Sequence, residues 1–214
     1  MSTAVVVHGL WMPGAETLLL RRRLEAAGFA TRQFTYRSVA QDLDANALQL
    51  AELLGDVPGE TVHLVGHSLG GVIAVRTRQS HSLERIGRVV CLGAPLQGSR
   101  SALALARLPG GERLIGKSKS AFLAGSVEPW TAREELGLIC GRVPIGGGQL
   151  FGRLPVPHDG TIAVDETRLD GATEHIVLPV SHLSMLWSRA VAEQTACFLA
   201  SGRFVRDQLG QLIQ

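Results

Sequence analysis

An α/β fold is predicted for this chain, with about six mostly parallel strands and helices on both faces. Two observations carry that expectation. Short β-branched runs alternate with amphipathic stretches over the whole length, the order that winds a parallel sheet through crossover helices. The chain has 214 residues, 45% of them hydrophobic, with no composition shift or linker, so one domain can bury the sheet without staples. That domain is expected over 1–202, followed by a C-terminal tail at 203–214 that frays after Gly202.

Each element has its own signal. Residues 3–7, Thr-Ala-Val-Val-Val, read as a buried strand closed by His8-Gly9. Residues 13–27 read as a helix, because Pro13 suits its first turn and Gly28 its exit. Residues 30–36 alternate and suit a second strand. Leu43, Ala47, Leu50, Ala51 and Leu54 fall at helical spacing within 39–54, ended by Gly55. Residues 61–65 form a third strand, 69–80 a helix, and 88–92 a fourth strand closed by Gly93-Ala94-Pro95. Glycines at 98, 110, 111, 116 and 125 interrupt the helical signals of 96–133. That stretch reads as a crossover helix plus a mobile, partly apolar excursion. Residues 136–140 give a fifth strand, 141–159 a Gly- and Pro-rich loop, 174–180 the last strand and 183–200 the last helix. No internal repeat occurs at solenoid or propeller periods.

Composition excludes several function classes. A net charge of +2 and a pI near 8.6 are too balanced for a nucleic-acid footprint. Arg21-Arg22-Arg23 lies within a helical pattern and reads as a solvated face. The apolar run Ala4 to Val7 is shorter than the roughly 7–15 residues of a secretory core or the roughly 20 of a spanning helix. The expected location is the cytoplasm, with no stable membrane insertion. Cys91, Cys140 and Cys197 are odd in number and far apart, which suits reduced, packed thiols and no disulfide or zinc framework. There is no HExxH, and Gly146-Gly147-Gly148 lacks the Lys-Ser/Thr of a phosphate loop. No metal or cofactor is expected.

Gly66-His67-Ser68-Leu69-Gly70 stands between a strand and a helix. In that context a serine is held up on a sharp turn that a flanking Cβ would obstruct, and the helix start aims free N–H groups at it. A serine attacks only if a base takes its proton. For such an elbow the chain order is serine, acid, then histidine. His8, His63 and His67 precede the serine, His81 lies at the far end of the following helix, and His175 opens a strand at the opposite edge. His158 adjoins the best acid. His182 remains, at the carboxyl end of the last strand, where ligands of such sheets bind. Asp159, followed by the turn residue Gly160, is favoured as the acid, with Asp165 as the alternative. The backbone N–H groups of Leu69 and Leu10 are the expected oxyanion donors. Trp11 and Met12 are expected beside the substrate, and Phe122, Leu123 and Trp130 are further candidates for an acyl pocket.

The His8-Gly9 loop, the elbow with Gly71, Gly93-Ala-Pro-Leu-Gln-Gly-Ser99, Asp159-Gly-Thr and His182 together resemble the α/β-hydrolase superfamily. The nearer resemblance is to small bacterial lipases and esterases and to GPI-inositol-deacylase-like hydrolases, over roughly residues 3–200. It implies a compact hydrolase fold and hydrolysis of a small-molecule carboxylic ester through an acyl-enzyme, with no metal or organic cofactor, and the shortness of 96–133 leaves room for a small or absent cap. Asp159-Gly160-Thr161 is similar to the Asp-Gly-hydrophobic segment that carries the acid in that branch. Relatives often have Gly-Thr-Pro-His after the fourth strand; Ala94 and Leu96 stand here instead, a departure that bears on substrate preference. An acyltransferase or thioesterase would use the same residues, and a binding protein that keeps the fold is the non-enzymatic alternative. The shortness of 96–133 implies an open, shallow groove suited to soluble esters of about four to eight carbons, with no jump in rate at an oil–water interface.

Overall fold

The computed structural model describes residues 2–151 and 153–205. Six strands form one sheet: β1 (Thr3–Val7), β2 (Ala30–Phe34), β3 (Val62–His67), β4 (Ile86–Leu92), β5 (Leu136–Gly141) and β6 (Glu174–Leu178). All neighbours pair in parallel, in the order β2-β1-β3-β4-β5-β6. From β1 the chain first fills one edge with β2, then crosses back to place β3 on the other side. The carboxyl ends of β1 and β3 therefore border the switch point where such sheets bind ligands.

Every residue of β1 is buried because helices cover both faces. Val5 and Val7 pack with Leu50, Leu54 and Ile73 on one side. Ala4 and Val6, pointing the other way, meet Leu20, Leu24 and Phe198. The first layer comes from α2 (Leu43–Asp56) and α3 (Leu69–Ser80), the second from α1 (Leu18–Ala26) and α6 (Arg189–Ser201).

Capping moves several helix starts later than periodicity suggests. Asp42 accepts from Ala45 N at 2.9 Å, so α2 opens at Leu43 rather than at 39. Ser188 caps Val191 N at 3.3 Å, and a separate 3-10 turn, Ser184–Leu186, precedes α6. Pro13 likewise leads into a 3-10 turn, Ala15–Thr17, before α1. The stretch 96–133 holds α4 (Arg100–Ala106), α5 (Gly111–Ile115) and a 3-10 segment, Gly116–Phe122. These pieces are tied down: Lys117 N–H donates to Val39 O at 3.0 Å, and Ser99 N–H to Phe122 O at 3.0 Å.

The start of the expected tail is packed. Phe204 is buried with its ring 4.7 Å from Phe198, and its N–H donates to Glu174 Oε2 at 2.7 Å. The remainder of that tail, 206–214, lies outside the described residues. All three cysteines are free, with Cys91 and Cys140 buried.

Candidate active site

One residue separates β3 from α3, and it is Ser68. Its φ of 54° and ψ of −123° lie where side-chain-bearing residues rarely sit, a conformation costing about 1–3 kcal/mol. The turn survives because its flanks have no side chains. A Cβ on Gly66 would come within 2.4 Å of Gly71 Cα, and one on Gly70 within 2.3 Å of Val7 O at the end of β1. Ser68 N–H donates to Leu92 O at 2.9 Å, which pins the elbow to β4.

His182 follows β6 through a turn locked by Ser181 N–H donating to Ser184 Oγ at 2.8 Å. Its Nδ1 lies 2.7 Å from Asp159 Oδ2, and its backbone N–H donates to Asp159 O at 2.9 Å. Asp159 Oδ1 accepts from the N–H groups of Thr161 at 2.9 Å and Ile162 at 2.7 Å. Burial pushes the Asp159 carboxyl upward. The facing His182 imidazole and its hydrogen bond, with the two backbone donors, outweigh burial and hold it below its usual value. An ionised carboxylate only accepts, so Nδ1 of His182 carries a proton, which in the neutral ring leaves Nε2 the lone pair. Gly93 leaves room for the pair, since a Cβ there would stand 3.1 Å from both Asp159 Oδ2 and His182 Nδ1.

Asp165 goes elsewhere. Both its oxygens receive the Arg100 guanidinium, at 2.9 and 2.8 Å, on the half-exposed surface. The buried Glu166 beside it accepts from Arg100 N–H at 2.6 Å and Ala163 N–H at 2.7 Å, joining the start of α4 to the loop that carries Asp159.

The other histidines near the sheet have structural partners. His8 Nδ1–H donates to Gly9 O at 2.8 Å, and its ring stacks on Tyr36 at 4.2 Å. His63 accepts from Arg88 N–H at 2.9 Å, and burial lowers its pKa to about 4. His158 accepts from Gly160 N–H at 3.1 Å. His175 Nε2 lies 2.9 Å from Thr167 Oγ1. His67 had no special signal in the sequence, yet its Nε2–H donates to the backbone O of His182 at 3.0 Å. It is fully buried, and burial with the neighbouring His182 lowers its pKa to about 3. His67 is thus a neutral strut between the serine turn and the His182 loop.

Ser68 and His182 line one cavity of about 220 Å³. A Cβ on Gly9 would stand 3.2 Å from Ser68 Cβ, so the loop after β1 abuts the serine. Among the described residues, the N–H groups of Leu10 and Leu69 donate to no protein acceptor. Trp11 and Met12 line the cavity, as does Phe122. Trp130 does not; its indole N–H donates to Glu134 O at 2.7 Å, away from the cavity, while Leu123 is exposed. The sequence left unassigned Ser99, Ser101, Leu105 and Ile115, and likewise Gly147, Gly148 and Phe151, all of which line the cavity. The cavity is lined mainly by apolar side chains from 96–133 and from the loop after β5. The helices of 96–133 are too short and too Gly-broken for periodicity to place them.

Residues 4–193 match the alpha/beta hydrolase family. Among solved structures, the lipase BlEst2 of Bacillus licheniformis in its mature form has a TM-score of 0.74 at 18% identity, over 94% of this chain and 91% of that one. A pyrethroid hydrolase from Sphingobium faniae gives 0.62 at 18% identity, over 94% and 98% of the two chains. The carboxylesterase CesB of Bacillus subtilis gives 0.56 at 15% identity, over 94% and 84%. At such identities the likeness speaks for the fold alone. No curated protein matches this chain.

Proposed function

This chain belongs to the alpha/beta hydrolase family, and on that premise we propose that it cleaves small carboxylic esters through an acyl-enzyme on Ser68. The observation that carries the reading is the buried Asp159–His182 pair, 2.7 Å apart, facing the cavity that also holds Ser68 on its strained turn. His182 Nε2 takes the serine proton as Oγ attacks the acyl carbonyl, and returns it to the leaving alcohol. Asp159 holds the imidazole in the tautomer that leaves Nε2 free, and stabilises the cation formed during attack. The Leu10 and Leu69 N–H groups receive the oxyanion; losing one such donor typically costs about 3–4 kcal/mol of barrier lowering. Water, activated by the same histidine, then clears the acyl group. None of these steps calls on a metal or organic cofactor.

A fluorophosphonate probe tests the nucleophile directly. It should label wild-type protein once, at Ser68, and leave Ser68→Ala unlabelled. Nitrophenyl esters of graded acyl length, run with and without alcohol acceptors, then separate hydrolysis from acyl transfer. Labelling elsewhere, or labelling without ester turnover, would defeat the reading.

A further inference from the structure

The rim of the cleft has a composition the catalytic reading does not use. Gly147, Gly148 and Phe151 line the cleft, and the loop that presents them, 142–157, exposes three of the most accessible large hydrophobics, Ile145 at 70%, Leu150 at 82% and Val156 at 83%, none of which lines the cleft itself. The same stretch carries Arg142 and Arg153 and no carboxylate. α5 and its approaches, whose Leu105 and Ile115 also line the cleft, expose Leu108 and Leu114, with Arg107, Arg113 and Lys117 likewise exposed. Among the described residues none of these five cations has a carboxylate partner, whereas Arg100 and Lys119 are paired with Asp165 and Glu112. Trp11 bridges the rim: it is half exposed, and its indole N–H donates to Leu114 O at 2.8 Å.

Exposed apolar tips cost free energy in water, and unpaired cations attract anions. Both occur together on the two segments that supply lining residues to an apolar cleft. We propose that this rim docks on an anionic phospholipid surface, seating the cleft mouth against the bilayer. The apolar tips would enter the headgroup boundary while the arginines and Lys117 meet lipid phosphates. A lipid surface suits the rim better than an acidic protein does. The tips stand on a loop whose only regular piece among the described residues is the 3-10 turn Gly147–Leu150, so they offer no strand edge for a protein segment to pair with. No helix among the described residues is long and apolar enough to cross a membrane, so the contact is peripheral. Docking would bring esters to the cleft, which recruits substrate without switching the enzyme on.

Vesicle sedimentation tests this, using phosphatidylcholine vesicles with and without a share of phosphatidylglycerol. The wild-type protein should partition at least about tenfold better onto the anionic vesicles, and molar salt should release it. Arg142→Glu with Arg153→Glu, and separately Leu150→Ser with Val156→Ser, should each cut that partition about tenfold. Both should keep the wild-type thermal midpoint and soluble-ester turnover. Ser68→Ala should bind as wild type does, so docking stands or falls apart from the ester chemistry. No binding, equal binding to neutral vesicles, variants that bind unchanged, or a preference for polyglutamate over anionic vesicles would each overturn the proposal.

Discussion

Asp159 and Asp165 lie six residues apart on one loop, and their surroundings divide them. Asp159 is buried with both oxygens engaged, one by His182 and one by two backbone N–H groups. Asp165 faces an exposed arginine. Asp159→Asn should therefore lower kcat by orders of magnitude, about 10⁴ in the best-studied serine triad, by allowing the wrong His182 tautomer. Asp165→Asn removes a surface pair worth about 0–1 kcal/mol and should leave kcat within a few-fold. Steady-state kinetics on one nitrophenyl ester checks both, and the reverse ranking would move the role to Asp165. Ser68→Ala should fall to background turnover with an unchanged circular dichroism spectrum. His67 offers a subtler test. His67→Leu removes the donor to the His182 carbonyl and leaves a buried acceptor unsatisfied, at about 1–3 kcal/mol of stability. With the base loop untied, kcat should drop while KM holds. A variant that changed KM alone would show that the strut does not position His182.

At the scale of elements, the short helical pieces of 96–133 are the part expected to limit substrate size. Three short helical pieces lean on the body through specific ties: Trp11 to Leu114, Lys117 to Val39, and Glu166 to the start of α4. Leu105, Ile115 and Phe122 then close the cleft on that side. Each methylene that the cleft buries adds at most about 0.8 kcal/mol, close to fourfold in kcat/KM, until the chain meets this wall. Soluble esters of about four to eight carbons should therefore be the best substrates, with a decline beyond them. Phe122→Leu should move the optimum about one or two carbons longer. A ladder of nitrophenyl esters measures it. A profile that stays flat through the long chains would mean the acyl group does not run toward Phe122.

For the whole molecule, buried histidines tie stability to pH. The pKa values of His63 and His67 are lowered to about 4 and about 3, chiefly by burial, and that of His175 to about 4. In the unfolded chain each would titrate near 6.5. Between that value and its own lowered pKa, the unfolded state binds a proton that the native state refuses. Stability is thus complete above about pH 6.5 and is lost as pH falls toward 4. The loss reaches about 1.4 kcal/mol per pH unit for each such histidine. The urea midpoint should accordingly fall steadily between pH 7 and pH 5, before Asp159 begins to protonate. An unchanged midpoint over that interval would show that these rings take up protons in the native state.

The sequence by itself determined the alternation of strands and crossover helices, the serine turn between β3 and α3, and a short set of partners ordered behind it. Those features are written in neighbouring residues: β-branched runs, capping glycines, and a Gly-x-Ser-x-Gly turn whose sterics are local. Tertiary structure alone decided the rest. The order β2-β1-β3-β4-β5-β6 places the His8-Gly9 loop against Ser68. Asp159 meets His182 across 23 positions of chain, and His67 reaches it across 115. The segment 96–133 took its place from bonds with Val39 and Trp11, not from any period of its own, since its glycines break the helices before a hydrophobic face can repeat. A local pattern records what each residue prefers beside its neighbours, whereas the site is made of groups that meet only once the sheet has closed over its core.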